Sequence, residues 1–241
     1  MTQFARCALR STAPLGVFAF WAGILTAARR FPSEYDWRYM TLSSLLYPER
    51  NPAGHLWASA GIVLCGCCGF CWAGALARDA AGHGAQARRV GIPALRVGFF
   101  CMVGCALLPE RLLPIPRGHE ILALSAFFGL CIGIVQLTFG AARRGLPRDP
   151  HRAGEHRRLY AAALAGVALS PVLLAGGVQA YVTYALPELP WVNLAWRARG
   201  VPVYLSFALW QWITCVVFSG YVILLSQATL TRTSPPGRSG P

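Results

Sequence analysis

Six long apolar stretches divide the chain, and most of them reach the length needed to cross a membrane. About 20 apolar residues in helical conformation span the hydrocarbon core of a bilayer. We place the spans at Ala13–Ala28, Gly54–Ala77, Ile92–Pro109, His119–Gly140, Leu159–Leu186 and Pro202–Leu225. This pattern predicts an all-α polytopic membrane protein, with residues 1–230 forming a single six-helix membrane domain.

The basic residues are all arginine, and they divide unevenly between the two sides of the predicted bundle. Thirteen lie in the two tails and in the second and fourth loops: Arg6, Arg10, Arg78, Arg88, Arg89, Arg143, Arg144, Arg148, Arg152, Arg157, Arg158, Arg232 and Arg238. Eight lie in the first, third and fifth loops: Arg29, Arg30, Arg38, Arg50, Arg111, Arg117, Arg197 and Arg199. Because cytoplasmic loops carry the excess of basic residues, both termini are predicted to be cytoplasmic in a multi-pass protein of the cell (inner) membrane.

The formal net charge of +13 is therefore mainly an orientation signal. Nucleic-acid binding needs a folded basic face, whereas these arginines lie in short loops. We expect membrane lipids as partners and no nucleic acid. Residues 231–241 are polar and rich in Pro, Gly and Ser, which predicts a disordered cytoplasmic tail.

Small residues recur every four positions along the second span. They are Gly61, Cys65, Gly69, Ala73 and Ala77. Such a ridge lets another helix approach closely, so it favours packing within the bundle and also allows a homo-oligomer. The four cysteines between Cys65 and Cys71 have a second interpretation, a soft-metal site, but the packing interpretation accounts for the spacing without a metal.

The first predicted outer loop contains a helical pattern. Tyr35, Tyr39, Leu42 and Leu46 fall on one helical face, and Pro48 ends the run. We predict a short amphipathic helix lying at the membrane interface.

Ionisable and polar residues collect at the predicted outer ends of the spans. Polar groups near lipid are costly unless they face a partner or a wet cavity, so these residues are candidates to line a shallow outward-facing pocket. The alternative is a set of hydrogen bonds that fix helix ends. The candidate residues are Glu34, Asp36, Arg38, His55, Glu110, Arg111, His119, Glu120 and Gln211.

The two predicted outer histidines also support sharper chemistries. A zinc site needs three protein ligands and a water, and His55, His119 and a carboxylate would supply them. A haem with two axial histidines would use the same pair. We expect no cofactor and assign no catalytic residue, but a membrane-embedded hydrolase or transferase using His55, His119 and a carboxylate, with or without a metal, stays open.

Several short motifs resemble a widespread family of bacterial and archaeal six-span membrane proteins of unknown function. They are the run Tyr39-Met-Thr-Leu-Ser-Ser-Leu45, Asn51-Pro52 before the second span, Leu108-Pro109, Gly118-His119 with Ala123 and Phe127, and Trp210-Gln211-Trp212. The family is distantly similar to the damage-regulated autophagy modulator proteins. The resemblance implies a six-helix membrane fold and no established reaction, and it adds Ser43, Asn51 and Pro52 to His119 as site positions.

Together these features predict a membrane protein that is not an enzyme. We expect it to bind a lipid or a small apolar molecule in a pocket on the outer side.

Overall fold

The computed structural model describes residues 3–78, 85, 87–108, 118–144, 173–177, 181, 197–198 and 200–232, and within these it contains helices and turns but no strand. The long helices are α1 (Gln3–Arg29), α2 (His55–Arg78), α3 (Ile92–Leu107), α4 (Gly118–Arg144) and α5 (Phe207–Arg232). Two 3-10 turns, Leu42–Leu45 and Val203–Leu205, and one π turn, Ala87–Gly91, complete the regular structure.

Each of the five helices contains a segment long and apolar enough to cross a membrane. A helix satisfies its backbone hydrogen bonds internally, as the bilayer interior requires. The protein is therefore an all-helical membrane protein in its described part. The predicted fifth span, at residues 159–186, lies outside the described residues except for 173–177, which are helical, and Tyr181.

Hydropathy places some helix ends closely and misses others. α2 and α3 begin within one residue of the predicted spans. α5 begins five residues later than predicted, because Pro202 and the 3-10 turn precede it, and it continues through Thr231 and Arg232, two residues assigned to the disordered tail. The rest of the predicted tail, residues 233–241, lies outside the described part of the chain.

α1 is not the short helix that hydropathy suggests, because it begins ten residues before the predicted span and has 27 residues. Arg6 and Arg10 lower the hydropathy of this segment, yet alanine and arginine favour helix. Pro14 lies inside the helix and lacks the N–H that would bond to the carbonyl of Arg10. The preceding residues compensate locally, since Ser11 and Thr12 donate their hydroxyl protons to the carbonyl oxygens of Cys7 and Ala8.

The first loop differs from the predicted amphipathic helix. Turns occupy residues 37–40, and the only helical segment between α1 and α2 is the single 3-10 turn Leu42–Leu45. The reason is local competition: the Asp36 carboxylate accepts the backbone N–H of Arg38 at 3.2 Å, a side-chain bond that offers the backbone an alternative to helix.

Glycines set the distance between neighbouring helices. A Cβ on Gly61 of α2 would lie 2.7 Å from the carbonyl oxygen of Ala19 and 2.9 Å from the Cα of Gly23 on α1. α3 and α4 cross in the same way, since a Cβ on Gly129 would lie 2.7 Å from the carbonyl oxygen of Ala94 and 2.7 Å from the nitrogen of Gly98. The small-residue ridge of α2 is thus used inside the chain, and a homo-oligomer stays a prediction.

The connections define two ends of the bundle. We call the end where α1 stops and α2 starts the first-loop end, and the other the opposite end. α4 also starts at the first-loop end, because its residue His119 contacts Cys105 near the end of α3. α5 starts there too, because its residue Gln211 accepts a hydrogen bond from the backbone of Leu42.

The close crossings generate a matched test. We expect Gly61→Ala and Gly129→Ala each to lower stability by about 1–3 kcal/mol, as overpacking does, because the added methyl group meets backbone that cannot move aside. Gly220→Ala on α5 is the control, since nothing lies within 4 Å of a Cβ there. Thermal unfolding in mild detergent measures the difference. Equal melting temperatures for Gly61→Ala and Gly220→Ala would show that the crossing is looser than described.

Candidate functional site

Residues 31–54, which we call the first-loop cap, cover the first-loop end and are tied to the chain around the start of α5. The Tyr39 hydroxyl donates to the carbonyl oxygen of Val201 at 2.8 Å. The backbone N–H of Leu42 donates to the Gln211 side-chain oxygen at 2.9 Å. A third tie, between Asp36 and Arg197, joins residues 161 positions apart in sequence. The cap is therefore held by contacts that no local sequence pattern encodes.

Asp36 is the charged centre of the cap, and its side chain is only 4% exposed. Its oxygens lie 2.8 Å from Arg38 Nε, 3.2 Å from Arg38 Nη2 and 3.0 Å from Arg197 Nη1. Burial alone would raise the pKa of this carboxyl group, but the hydrogen bonds from Arg38 and the charges of Arg38 and Arg197 outweigh burial and hold the pKa below its ordinary value. Asp36 is therefore a carboxylate that is already fully occupied by two guanidinium groups.

Asn51 is fully buried and joins the cap to the ends of two helices. Its amide nitrogen donates to the carbonyl oxygens of Ala27 at 3.1 Å and Leu45 at 3.3 Å. Its own carbonyl oxygen accepts the backbone N–H of His55, the first residue of α2, at 2.9 Å. Helix ends leave such backbone groups without intrahelical partners, so Asn51 satisfies the end of α1 and the start of α2 together.

An aromatic layer lies beneath the cap and consists of Phe20, Trp21, Phe31, Tyr35 and Trp212. Neighbouring rings are in contact, with centroid separations of 5.2 to 6.1 Å. The Tyr35 hydroxyl donates to the carbonyl oxygens of Met40 and Thr41 at 2.9 and 3.0 Å, and burial raises the pKa of this phenol. The Trp21 indole donates to the Ser219 hydroxyl at 3.0 Å. The layer therefore joins α1, the cap and α5.

His119 lies in a separate group with Cys105 and Tyr47. Its side chain is buried, and the Tyr47 ring centroid is 5.5 Å from that of the imidazole. The Cys105 sulfur is 3.4 Å from Nδ1 and 3.5 Å from Nε2. A sulfur almost equidistant from both ring nitrogens lies over the ring face, not on a nitrogen lone pair. The pair is therefore in contact but is not aligned for proton transfer from thiol to imidazole.

The other predicted site residues occupy different places. His55 points its Nδ1 at the carbonyl oxygens of Asn51 and Pro52, each 3.1 Å away. The Ser43 hydroxyl lies 2.8 Å from that of Thr41. Glu34 and Glu120 are exposed, and Glu120, in the first turn of α4, suits the positive end of that helix dipole. Glu110 and Arg111 lie outside the described residues.

The metal alternatives can be compared with the side chains that the structure describes. Within those residues, no three His, Cys, Asp or Glu side chains come together as a metal-binding group. His55 and His119 each contact other groups, as given above, and no described contact joins one to the other. Zinc and haem stay predictions that the described geometry does not support.

Below the aromatic layer lies an apolar cavity of about 100 Å³ at the mid-depth of the bundle. All five helices line it, with Val17 on α1, Cys65 on α2, Met102 on α3, Leu130 on α4 and Phe218 on α5 as examples. The two hydroxyl groups of the lining belong to Thr12 and Ser219. They donate to the carbonyl oxygens of Ala8 and Cys215, one turn earlier in their own helices. None of the predicted site residues lines this cavity.

Sequence reasoning missed two kinds of residue. Arg197 and Cys105 entered it only as members of an arginine and a cysteine count, and their partners lie far away in sequence. The residues that line the cavity are ordinary apolar members of five spans. No spacing identifies them, because the cavity exists only where the helices meet.

The Asp36 arrangement predicts a pH-dependent stability. We expect Asp36→Asn to lower the free energy of unfolding near neutral pH by about 1.5–3 kcal/mol, the range for hydrogen bonds to charged groups. A carboxyl group whose folded pKa is depressed stabilises the fold above its unfolded pKa, about 3.9, and this contribution is lost as the pH falls through the folded pKa. The melting temperatures of wild type and Asp36→Asn should therefore converge below about pH 4.

Glu34→Gln is the matched control, because Glu34 is an exposed carboxylate two residues away. It should leave the melting temperature nearly unchanged across the pH range. A gap between wild type and Asp36→Asn that stays constant down to pH 2 would contradict the role given to the carboxylate charge.

The comparisons with known proteins supply no relative for this chain. No family model matches it, and neither a curated protein nor a solved structure matches it. The resemblance to six-span membrane proteins of unknown function therefore stays a prediction, and the function is argued from the residues of this chain.

Proposed function

We propose that the chain is a six-helix protein of the cell (inner) membrane, with both termini cytoplasmic, that binds a lipid chain or a small apolar molecule. The direction of the helices supports the sixth crossing. α4 starts at the first-loop end and runs to the opposite end, whereas α5 starts again at the first-loop end. The chain between them, residues 145–206, has to return across the membrane, and the apolar stretch Leu159–Leu186 has the length to do so.

The mid-depth cavity is the observation that carries the binding proposal. Apolar cavities in proteins stay dry and accept apolar molecules, and one of about 150 Å³ binds benzene. At about 100 Å³ the cavity is smaller, so it suits the end of an acyl or prenyl chain and not a whole lipid. Its two hydroxyl groups already donate within their own helices, so the lining offers little to a polar group.

The free energy of such binding comes from packing. A chain that moves from the bilayer into the cavity gains little from the hydrophobic effect, because both surroundings are apolar. It gains dispersion contacts for cavity walls that otherwise lack partner atoms. We therefore expect selection by chain shape and only moderate affinity.

We assign the polar residues at the first-loop end to the cap that closes this cavity. Asp36, Asn51 and Gln211 each have partners within the protein, which favours a closing role over direct contact with a bound molecule. Trp212 and Tyr35 lie between these polar groups and the cavity, since Trp212 is three residues from the cavity residue Cys215 on α5.

A membrane-embedded hydrolase or transferase is the second candidate. The observation that favours it is the buried contact between His119 and the Cys105 thiol, because an adjacent nucleophile and base are the signature of covalent catalysis. The sulfur lies over the imidazole face, so the pair would have to rotate before a proton could pass. We therefore rank this candidate below apolar binding.

The topology can be tested with reporter fusions. A fluorescent protein that folds only in the cytoplasm should fluoresce at both termini, and alkaline phosphatase should be active only when inserted after Arg50 in the cap. Insertion at residues 81–84, in the second loop, is the control and should give no phosphatase activity. Phosphatase activity at the C-terminus together with a fluorescent N-terminus would mean an odd number of crossings.

The cavity can be tested by filling it. A Phe side chain in place of Val17 would occupy the cavity and should lower crosslinking of a photoactivatable long-chain fatty acid to Met102 and Phe218 peptides by about tenfold, or about 1.4 kcal/mol. Leu25→Phe is the control, because Leu25 is on the same helix, is 48% exposed and does not line the cavity. Equal crosslinking in wild type and a folded, monodisperse Val17→Phe would remove the cavity as the binding site.

A further inference from the structure

A second feature, independent of the cavity, concerns a charge inside the membrane-crossing part of the bundle. Arg96 lies in the second turn of α3, near the opposite end, within an apolar span. It is half-buried, and its Nε is buried without a hydrogen-bond partner in the described part of the chain. A charged side chain within a span normally pairs with another group or reaches the interface. The partner of Arg96 therefore needs to be identified.

Carboxylates of the described residues do not supply it. The four that the structure places, Glu34, Asp36, Glu49 and Glu120, all belong to the cap or to the first turn of α4, at the first-loop end. Arg96 lies on the other side of the apolar span. The one contact of its guanidinium among described residues is with the Phe70 ring of α2, whose centroid is 5.5 Å away.

The surroundings of Arg96 form an open groove between α2 and α3. A Cβ on Gly74 would lie 3.5 Å from Arg96 Nη2, so the guanidinium extends over a position without a side chain. Phe70 is 45% exposed, and Phe100, one turn further along α3, is 71% exposed. Arg88 on the π turn is also exposed at this end. The groove thus has an apolar floor and walls deeper in the membrane and a cation at its mouth.

We propose that this groove binds an anionic phospholipid, with its phosphate on Arg96 and an acyl chain along Phe70 and Phe100. A guanidinium group presents several N–H donors in a planar fork that matches phosphate oxygens. A charge-assisted bond of this kind satisfies both the unpartnered Nε and the positive charge. The excess of arginines at this end is typical of the cytoplasmic side, where the leaflet is rich in anionic lipid.

Native mass spectrometry of the purified protein with added lipid tests the proposal. Phosphatidylglycerol should bind more tightly than phosphatidylcholine of the same chains, and Arg96→Gln should weaken phosphatidylglycerol binding by about tenfold or more. Arg88→Gln is the matched control, because it removes the same charge from an exposed position at the same end. Its effect should stay below about threefold and disappear at high salt.

Two further arms separate the sources of the phosphate and guard against misfolding. Millimolar inorganic phosphate should not displace the lipid, because the chain contacts with Phe70 and Phe100 are missing from the ion. Arg96→Lys, which keeps the charge and loses the fork, should bind with intermediate affinity. Unchanged lipid preference in folded Arg96→Gln, equal losses in Arg96→Gln and Arg88→Gln, or displacement by inorganic phosphate would each overturn the proposal. Val17→Phe should leave phosphatidylglycerol binding intact, so this site and the cavity can fail separately.

Discussion

The close approach of helix backbones at glycine residues is the constraint on which the remaining structure depends. In a bilayer the hydrophobic effect does not drive helices together, so packing and close contact have to do so. Gly23 and Gly61 bring α1 against α2, and Gly98 and Gly129 bring α3 against α4. Where these pairs meet α5, large side chains such as Trp72 and Phe99 leave the central cavity. The cavity is thus a consequence of rigid pairs that cannot collapse on one another.

The two ends of the bundle differ in their electrostatics. At the first-loop end, Asp36 is paired with two arginines and the polar groups of the cap bind one another or the helix ends. At the opposite end, Arg96 sits within a span without a carboxylate partner among the described residues. One end is therefore closed by its own interactions, whereas the other presents an unsatisfied cation to the membrane. This asymmetry suits a protein whose ligands enter from the lipid phase.

Hydropathy and helix propensity predict the all-helical membrane character and place the starts of α2 and α3, because a long apolar run has one stable conformation in a bilayer. They place α1 less well, since Arg6 and Arg10 break the apolar run without breaking the helix. They also mistake the cap for an amphipathic helix, because the i, i+4 spacing of Tyr35 and Tyr39 does not register the competing bond from Asp36 to the backbone of Arg38.

Several candidate site residues were identifiable, but their partners were not. Polar residues at span ends such as Asp36 and Gln211 stand out against an apolar background. Their contacts with Arg197 and Leu42 cross more than 160 positions of sequence, and a single sequence carries no signal for such pairing. The cavity was beyond prediction for the same reason, because it is lined by residues of five helices that only the assembled bundle brings together.

The most direct test of apolar binding is an experimental density map of the protein in a lipid nanodisc, at a resolution that shows acyl chains. A chain-shaped density that ends between Thr12, Cys65 and Phe218 in the cavity is expected. An empty cavity, or one closed by rotation of Met102 and Phe99 into it with lipid density only on the outer surface, would contradict the proposed function.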